Sequence, residues 1–384
     1  MTDDPRLAEA RDTPIADVAE RLAIPELKRH SRELVGPCPS CGGKDRFSIN
    51  PDRGVYNCRS CGGGDVIGLV RLVMACSFAD ALSWLVGEKP VEIDPAEEER
   101  RAKLRAEKKA KAEVHAARER EKAIKAARAI WAEGRAAAGS AVADYLACRG
   151  MPDWLCSAPP TCLRYHPALR YTVPSKDGRG WDVIHTGPAM LAAVLAPDGS
   201  LTAVHRTWID VTQPKGKAVI TGHDGTQLEV KKILGSKKGC AIRLVPRESF
   251  KTLIMGEGIE TTLSAFVAAG QSSPATFWAG IDLGNMAGRR ILRGEGMKYR
   301  GIPDLEEREG EESPHGFLPP PWVTRLIFIQ DGDSEPRSTT AKLQAGLRRA
   351  KHFNPALRIQ IAHPGEGMDL NDVLMNSKDA DAND

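Results

Sequence analysis

Two stretches near the start of the chain repeat apolar residues every three to four positions: ADVAERLAI (residues 16–24) and DVIGLVRLVMACSFADALSWLVG (65–87). That period predicts amphipathic helix. Between them, DRFSI (45–49) and VYNC (55–58) read as two strands joined by Asn50-Pro51-Asp52-Arg53-Gly54, a strong turn sequence. From about Asp94 to Arg135 the pattern vanishes into Ala, Glu, Lys and Arg, with no Pro after Pro95 and no Gly until Gly134. These are the best helix formers, and about 40 residues would span roughly 60 Å. Leu104, Val114, Ile124 and Ile130 are too sparse for a coiled-coil seam, so a solvated spacer helix is expected.

Beyond Gly139 the texture becomes globular. Short β-like runs come first: LRYHPALRYTV (163–173), PAMLAAVL (188–195) and LTAVHRTWI (201–209). Strand and helix then alternate. KTLIMG, ATFWAG, RLIFIQ and RIQIAHP read as strands; IETTLSAFVAAG, LGNMAGRRILR and STTAKLQAGLRRAKHF read as helices. This βαβαβαβ order predicts a parallel sheet covered on both faces. A Pro/Gly/Glu-rich insert at about 294–321 reads as a surface loop. The expected organisation is α/β and multidomain: a ribbon module at 1–93, a charged helical linker at 94–138, a basic lobe at 139–249 and a parallel-sheet domain at 250–384.

The 384 residues carry 54 Lys+Arg against 51 Asp+Glu, a net charge of +3, which excludes a protein basic throughout. Any nucleic-acid footprint must therefore be local. Between Glu97 and Arg128 twelve Lys/Arg face seven Glu, so the linker holds net +5: a solvated face first, with a spacer whose excess charge also touches phosphates as the sharper alternative. No run of 18 apolar residues occurs, and MTDDPRLAEARDTP lacks the apolar core of a secretion signal. A cytoplasmic protein with no membrane partner is expected. In that reducing compartment the nine cysteines point to metal or free thiols rather than disulfides.

Four of the nine form Cys38-x2-Cys41 and Cys58-x2-Cys61, two knuckles that fit one tetrahedral zinc ion. Gly42-Gly43 and Gly62-Gly63-Gly64 supply the backbone freedom of such turns. A closed four-thiolate site leaves no open position for catalysis, so the metal is a folding staple. On the ribbon surface Lys44, Arg46, Phe47, Arg53, Tyr56 and Arg59 interleave cations with aromatics, a mixture suited to single-stranded nucleic acid. Phe47 reads equally well as core.

Acids cluster at the C-terminal ends of the strands expected to be parallel, where open α/β sheets bind ligands. They are Glu257 in Gly256-Glu257-Gly258, Asp331 and Asp333 in Gln330-Asp331-Gly332-Asp333, and Asp369 and Asp372 after the last strand. Converging carboxylates suit Mg²⁺ or Mn²⁺ and, with it, phosphoryl-transfer chemistry. Taken singly, Asp333 and Asp372 read as helix caps. His166, His185 and His205 read as hydrogen-bonded residues within β-like stretches, and Cys156-x5-Cys162 with His166 lacks ligand-like spacing. Gly256-Glu257-Gly258 is not a dinucleotide fingerprint, because its glutamate would repel a pyrophosphate.

These motifs carry a family resemblance. GPCPSCGGKDRF and YNCRSCGGGDVIGL resemble the zinc ribbon of phage- and plasmid-type bacterial DNA primases. GEGIETTLSAF, FIQDGD and MDLNDVL resemble the three motifs of a Toprim domain, the Rossmann-like catalytic fold shared by bacterial primases and topoisomerases. AVHRTWID through VKKILGSKKG is similar to the basic segment that opens the primase catalytic core.

The resemblance implies that Glu257 is general base or metal partner, and that Asp331 and Asp333 bind the catalytic metal. Asp369 and Asp372 match the later acidic motif. Arg206, Lys231, Lys232, Lys237 and Lys238 match the basic segment that holds triphosphate and template. The pattern departs at one place: an acid four residues after the glutamate is common in such primases, whereas here Thr261 stands there and Glu260 precedes it.

The implied activity is synthesis of short RNA primers on single-stranded DNA from ribonucleoside triphosphates, in a bacterial cytoplasm or nucleoid, with a chromosomal, plasmid or phage origin all open. No GxxxxGK[ST] loop occurs and the chain stops soon after the last acidic motif, so a helicase would be a separate partner. A Toprim-type nuclease and a non-catalytic replication accessory protein are the alternatives. A topoisomerase fits poorly, since Tyr56, Tyr145, Tyr165, Tyr171 and Tyr299 lie in no evident cleavage domain.

Overall fold

A computed structural model describes residues 6–87, 95–294, 296–306, 316–330, 332, 335–363, 365 and 369–381. The chain divides into two compact units, Met1–Ala110 and Lys111–Asp384.

The first unit starts with helices α1 (Arg6–Asp12) and α2 (Ile15–Arg21). A five-stranded antiparallel sheet follows in sequential order: β1 (Lys28–His30), β2 (Glu33–Cys38), β3 (Gly42–Asn50), β4 (Val55–Cys58) and β5 (Gly62–Gly64). The turn between β3 and β4 forms as expected, Asn50 Oδ1 accepting the Arg53 amide at 3.0 Å. The periodic stretch 65–87 is not one helix but two, α3 (Val66–Met74) and α4 (Phe78–Val86). Ala75 adopts a left-handed φ of 51°, and Ser77 with Asp80 closes a reciprocal capping box that starts the second helix. Phe47, Ile49, Ile67, Leu69, Val70 and Leu82 form a buried core over the sheet.

Helix α5 (Pro95–Glu133) runs through the division between the units. Leu104 and Val114 are exposed, as a solvated helix requires. Its last turns differ from that expectation. Ala127 is fully buried, and Ile130 and Trp131 pack against the second sheet. Arg164 lies 4.3 Å over the Trp131 ring and donates to its carbonyl at 2.8 Å.

The second unit continues with β6 (Arg135–Ala136), α6 (Ala141–Cys148), α7 (Asp153–Ser157), β7 (Leu163–Pro174), β8 (Trp181–Leu195), β9 (Leu201–Trp208) and β10 (Lys231–Gly235). Its five strands pair antiparallel in the order β10-β9-β8-β7-β6.

The third sheet follows: β11 (Ile242–Val245), β12 (Thr252–Gly256), α8 (Ile259–Ala269), β13 (Thr276–Ala279), α9 (Leu283–Ala287), β14 (Arg325–Ile329), α10 (Pro336–Phe353), β15 (Arg358–Ala362) and α11 (Leu370–Asp381). Its order is β11-β13-β12-β14-β15, with β12 to β15 parallel and β11 an antiparallel edge. One core joins Leu263 and Phe266 of α8 to Phe277 of β13 and to Met190, Ala192 and Val194 of the second sheet. The other face packs Leu343 and Leu347 of α10 on Leu253 and Phe328. The α/β architecture with a doubly covered parallel sheet is as the alternation predicted. No break in packing marks residue 249, because the basic lobe and the parallel sheet share that core.

Two local expectations change. The helix expected over 283–293 ends at Ala287. Buried Arg349 donates to the carbonyls of Ala287 and Arg289, and Gly288 turns at φ 62° where any Cβ would strike that guanidinium. The insert at 294–321 is not all surface. Phe317 is buried edge-on to Trp278, and Asp304 is buried 2.9 Å from Arg289.

Candidate functional site

In the first unit, the knuckles at the ends of the β2–β3 and β4–β5 turns aim all four cysteine sulfurs at one point, every pair within 4.8 Å. Cys38 and Cys61 Sγ are 3.9 Å apart, and Cys41 and Cys58 Sγ 3.6 Å. A tetrahedron with Zn–S bonds of about 2.3 Å has edges of about 3.8 Å, so the donor set fits zinc. The Ser60 and Cys61 amides point at Cys58 Sγ from 3.4 and 3.3 Å, the direction that steadies a thiolate. Burial pushes the Cys38 thiol up and the Cys61 thiol up to about 12. Against its slight burial, hydrogen bonds from the neighbouring sulfurs and Arg46 draw Cys41 down to about 7. Four crowded sulfurs cannot all ionise without a cation among them.

In the second unit the chemistry gathers near the C-terminal end of β12. Glu257 is half-buried there. Burial raises its carboxyl and the charge of Asp282 adds to this, while the Leu283 amide, Lys342 and Lys231 oppose it. Asp282 is itself engaged: it caps α9 by accepting the Asn285 amide at 2.8 Å and pairs with Lys237.

Three residues on, Glu260 is buried at the start of α8. It accepts hydrogen bonds from the Tyr145 hydroxyl and from Lys231 Nζ at 2.9 Å. Burial alone would raise its carboxyl, but the Lys231 and Lys217 ammoniums outweigh that and hold it far below the usual range. Burial lowers Lys217, with Lys231 and Arg149 adding to the effect. Burial and Lys231 likewise push His205 down to about 4, so its imidazole is neutral at pH 7.

Lys231, Lys217 and Lys215 also line a cavity of about 490 Å³, with Gln213, Gln227 and Glu229. Its Lys215-Gly216-Lys217 wall turns through two left-handed residues, Lys215 at φ 61° and Gly216 at φ 67°. A Cβ on Gly216 would sit 2.9 Å from the Tyr145 ring, so only glycine lets the two approach.

With that geometry in place, residues 34–67 match the family described as the zinc-binding domain of primase-helicase. This match supports a primase-type protein. The ribbon is thus a zinc-binding four-cysteine module of the primase kind, and the zinc expectation for Cys38, Cys41, Cys58 and Cys61 holds. Residues 121–244 match a domain of unknown function, DUF7146.

Among solved structures, the chain is similar to the Aquifex aeolicus primase zinc-binding and RNA polymerase domains (14% identity, 100% of this chain and 84% of that one, TM-score 0.35). It is also similar to a Pseudomonas aeruginosa DNA primase domain (13%, 68% and 77%, TM-score 0.37) and to the primase fragment of the bacteriophage T7 primase-helicase (13%, 91% and 96%, TM-score 0.30). Superpositions this loose leave the chemistry to the chain's own residues. Among the described residues no single helix is long and apolar enough to cross a membrane.

On the primase-type ribbon, Lys44, Arg46, Arg53 and Arg59 are exposed, and Arg59 pairs with Asp45 at 2.8 Å. Phe47 and Tyr56 are a correction. Both are buried, ring centroids 5.8 Å apart, and the Tyr56 hydroxyl donates to the Gly68 carbonyl. Neither offers a free face to a base. Burial pushes Tyr56 up to about 12.

The basic segment is divided by strand geometry. Side chains alternate along β10, so Lys231 faces Glu260 while Lys232 turns to the other side. There Lys232 Nζ lies 3.7 Å over the Tyr171 ring and donates to the Thr172 carbonyl at 3.0 Å. Arg206, opposite Lys232 in the ladder, stacks 5.4 Å over Trp208. These two cations brace the aromatic face. Lys237 pairs with Asp282, and Lys238 lies exposed beside it. Asn285 steadies their loop: its Oδ1 accepts the Gly239 amide at 2.8 Å and its Nδ2 donates to the Cys240 and Gly280 carbonyls.

Asp331 and Asp333 lie outside the described residues. Asp369 caps α11, accepting the Asp372 amide at 2.6 Å, and Asp372 takes Lys215 Nζ at 2.7 Å. Neither is joined to Glu257 by a described contact.

Sequence reasoning overlooked Tyr145, Lys215, Lys217, Asp282 and Asn285, and noted Glu260 only as a departure from a pattern. The one available signal was Pro214-Lys215-Gly216-Lys217, two cations around a glycine seventeen or fewer residues before Lys231.

Proposed function

We propose that this chain is a DNA primase that makes short RNA primers on single-stranded DNA by nucleotidyl transfer. The observation that carries the reading is Lys231. It closes a lysine-lined cavity of about 490 Å³, is clamped by the buried Glu260, and contributes its charge to Glu257 at the end of a parallel strand. A primase-type zinc ribbon on the same chain supports the same reading.

In this scheme Lys215, Lys217 and Lys231 receive the triphosphate of an incoming ribonucleotide. Glu260 and Tyr145 hold Lys231 in one position, which limits the entropy lost when it meets phosphate. Glu257, with Asp331 and Asp333 from the segment after the neighbouring strand β14, would hold Mg²⁺ or Mn²⁺. The bound metal would supply charge neutralisation on the triphosphate and a more acidic 3′-hydroxyl. Glu257 would also accept the proton of that hydroxyl, a role that the raised basicity of its partly desolvated carboxylate supports. Lys237 and Lys238 add positive charge near the sheet end, and Lys44, Arg46, Arg53 and Arg59 are exposed on the ribbon for template phosphates. A separate helicase partner belongs to the same proposal.

The test is primer synthesis on varied single-stranded templates with ribonucleoside triphosphates and Mg²⁺ or Mn²⁺. Oligoribonucleotide products that disappear in Glu257→Gln and in Asp331→Ala/Asp333→Ala would support the reading. No product on any template, or metal-dependent DNA cleavage without nucleotides, would replace it with the nuclease reading.

A further inference from the structure

The hairpin of β7 and β8 outgrows its sheet. These strands pair from Leu163↔Ala192 to Pro174↔Trp181, whereas β9 joins β8 only from Ala189↔Trp208 onward. The tip is therefore a two-stranded ribbon. One of its faces is anchored: the Tyr171 hydroxyl donates to the Glu229 carbonyl at 2.8 Å, and His223 Nε2 lies 2.9 Å from Asp182.

The opposite face carries Arg170, Thr172, Pro174, Trp181, Val183 and Thr186, by the alternation of the ladder. Trp181 is 70% exposed, more than any other large hydrophobic residue among those described, and Val183 is 49% exposed. Arg170, Lys176 and Arg179 are exposed on the hairpin, against two carboxylates: exposed Asp177, and Asp182, which is engaged by Ser175 and His223. The tip is internally tied: the Ser175 amide donates to the Gly180 carbonyl, the Gly178 amide to the Ser175 carbonyl, and the Ser175 hydroxyl to Asp182 at 2.6 Å. An ordered turn thus presents an exposed indole, with Lys176 and Arg179 in the turn itself and Arg170 four residues before Pro174, the strand partner of Trp181.

We infer that this hairpin face binds single-stranded nucleic acid, the Trp181 ring stacking on a base while Arg170, Lys176 and Arg179 hold the flanking phosphates. Two strands are too narrow for a stable protein interface, but one exposed ring matches one base, and the positive excess complements a phosphate backbone. The inference rests on the reading of single-stranded DNA as the substrate, and it places a contact apart from Glu257 and the lysine cavity.

The experiment measures binding of a labelled oligodeoxythymidylate to the full chain by fluorescence anisotropy, with primer synthesis assayed in parallel. Trp181→Ala should weaken binding roughly five- to a hundredfold, the usual weight of one stacked base, while Trp181→Phe should recover most of it. Lys176→Glu/Arg179→Glu should weaken binding and flatten its salt dependence. Oligonucleotide should also quench a tryptophan signal that Trp181→Ala lacks.

Binding equal to wild type in Trp181→Ala, with normal circular dichroism and primer synthesis intact, would overturn the hairpin and leave the primase reading standing. Weakened binding in Trp181→Ala alongside no primer synthesis by the wild type would support the hairpin and sink the primase reading. A wild type that binds no oligonucleotide would overturn the hairpin contact outright.

Discussion

The zinc ribbon and the Glu260 cluster are both convergent groups of side chains, but they are assembled in opposite ways. The ribbon's four donors come from two short turns, and each pair is three residues apart in the chain. The cluster draws Tyr145 from α6, Lys217 from an irregular turn, His205 from β9, Lys231 from β10 and Glu260 from α8. The Tyr145 hydroxyl reaches across 115 positions of sequence. In the first case spacing alone writes the geometry, and the metal supplies the energy. In the second, burial of one carboxylate sets the geometry, and every partner is there to offset its lost hydration.

That contrast can be broken in several places. The largest effect should come from removing the metal. Chelation, or Cys58→Ala, should release zinc and unfold the ribbon, because structural zinc contributes on the order of 10 kcal/mol to such modules. Zinc release by a colorimetric chelator with circular dichroism checks it. A ribbon that keeps its strands without zinc would mean that its core suffices alone.

Next in size, Glu260→Ala should cost about 3–5 kcal/mol in the second unit, since it leaves the buried Tyr145 hydroxyl and the partly buried Lys231 ammonium without their partner. Phe47→Ala should cost the ribbon a similar ~3–5 kcal/mol as a core deletion, with Lys44 and Arg46 still exposed. Thermal unfolding of each variant reads both. A mild Phe47→Ala that instead lost oligonucleotide binding would restore the ring to the surface.

The cluster also predicts a pH response of its own, separate from the proton-linked zinc binding of the ribbon. His205 is pushed down to about 4 in the fold from an unfolded value near 6.5, so the folded state favours the neutral ring. Its contribution is complete above pH 6.5 and is lost as pH falls toward 4, about 3 kcal/mol in all. Glu260 is also depressed, so its stabilisation is present above the unfolded carboxyl value near 4.3 and fades only below it. Urea unfolding of the second unit between pH 7 and pH 4 should therefore show a slope that His205→Gln flattens and Glu260→Gln leaves in place.

The smallest effect belongs to Arg59→Ala. Its pair with Asp45 is solvent-exposed at both ends, and losing it should change stability by less than about 1 kcal/mol. A larger loss would show that the ribbon surface takes part in folding.

Much of this molecule was legible in its residues. The two knuckles, the β3–β4 turn, the alternation of parallel strands and helices, and the long polar helix all follow from local spacing or composition. What was misread involved a competing contact from far away. The run 283–293 has a helical pattern, but Arg349 captures its carbonyls and ends it at Ala287. Phe47 and Tyr56 sit among cations in the sequence, yet α3 and α4 cover them. Lys231 and Lys232 are neighbours with one charge, and the pleat of β10 sends them to opposite faces.

Residue order was enough to specify where thiolates meet, which segments become helices and strands, and that acids follow the parallel strands, because each depends on residues within a turn or two of one another. The partner of each cation was settled only by long-range packing. Lys232 is bound to Tyr171, Lys237 to Asp282 and Lys231 to Glu260, while Lys215 and Lys217 join Lys231 around a cavity. The reason is physical: charge is read from composition, but the availability of a charge depends on the burial and partners that distant segments bring to it.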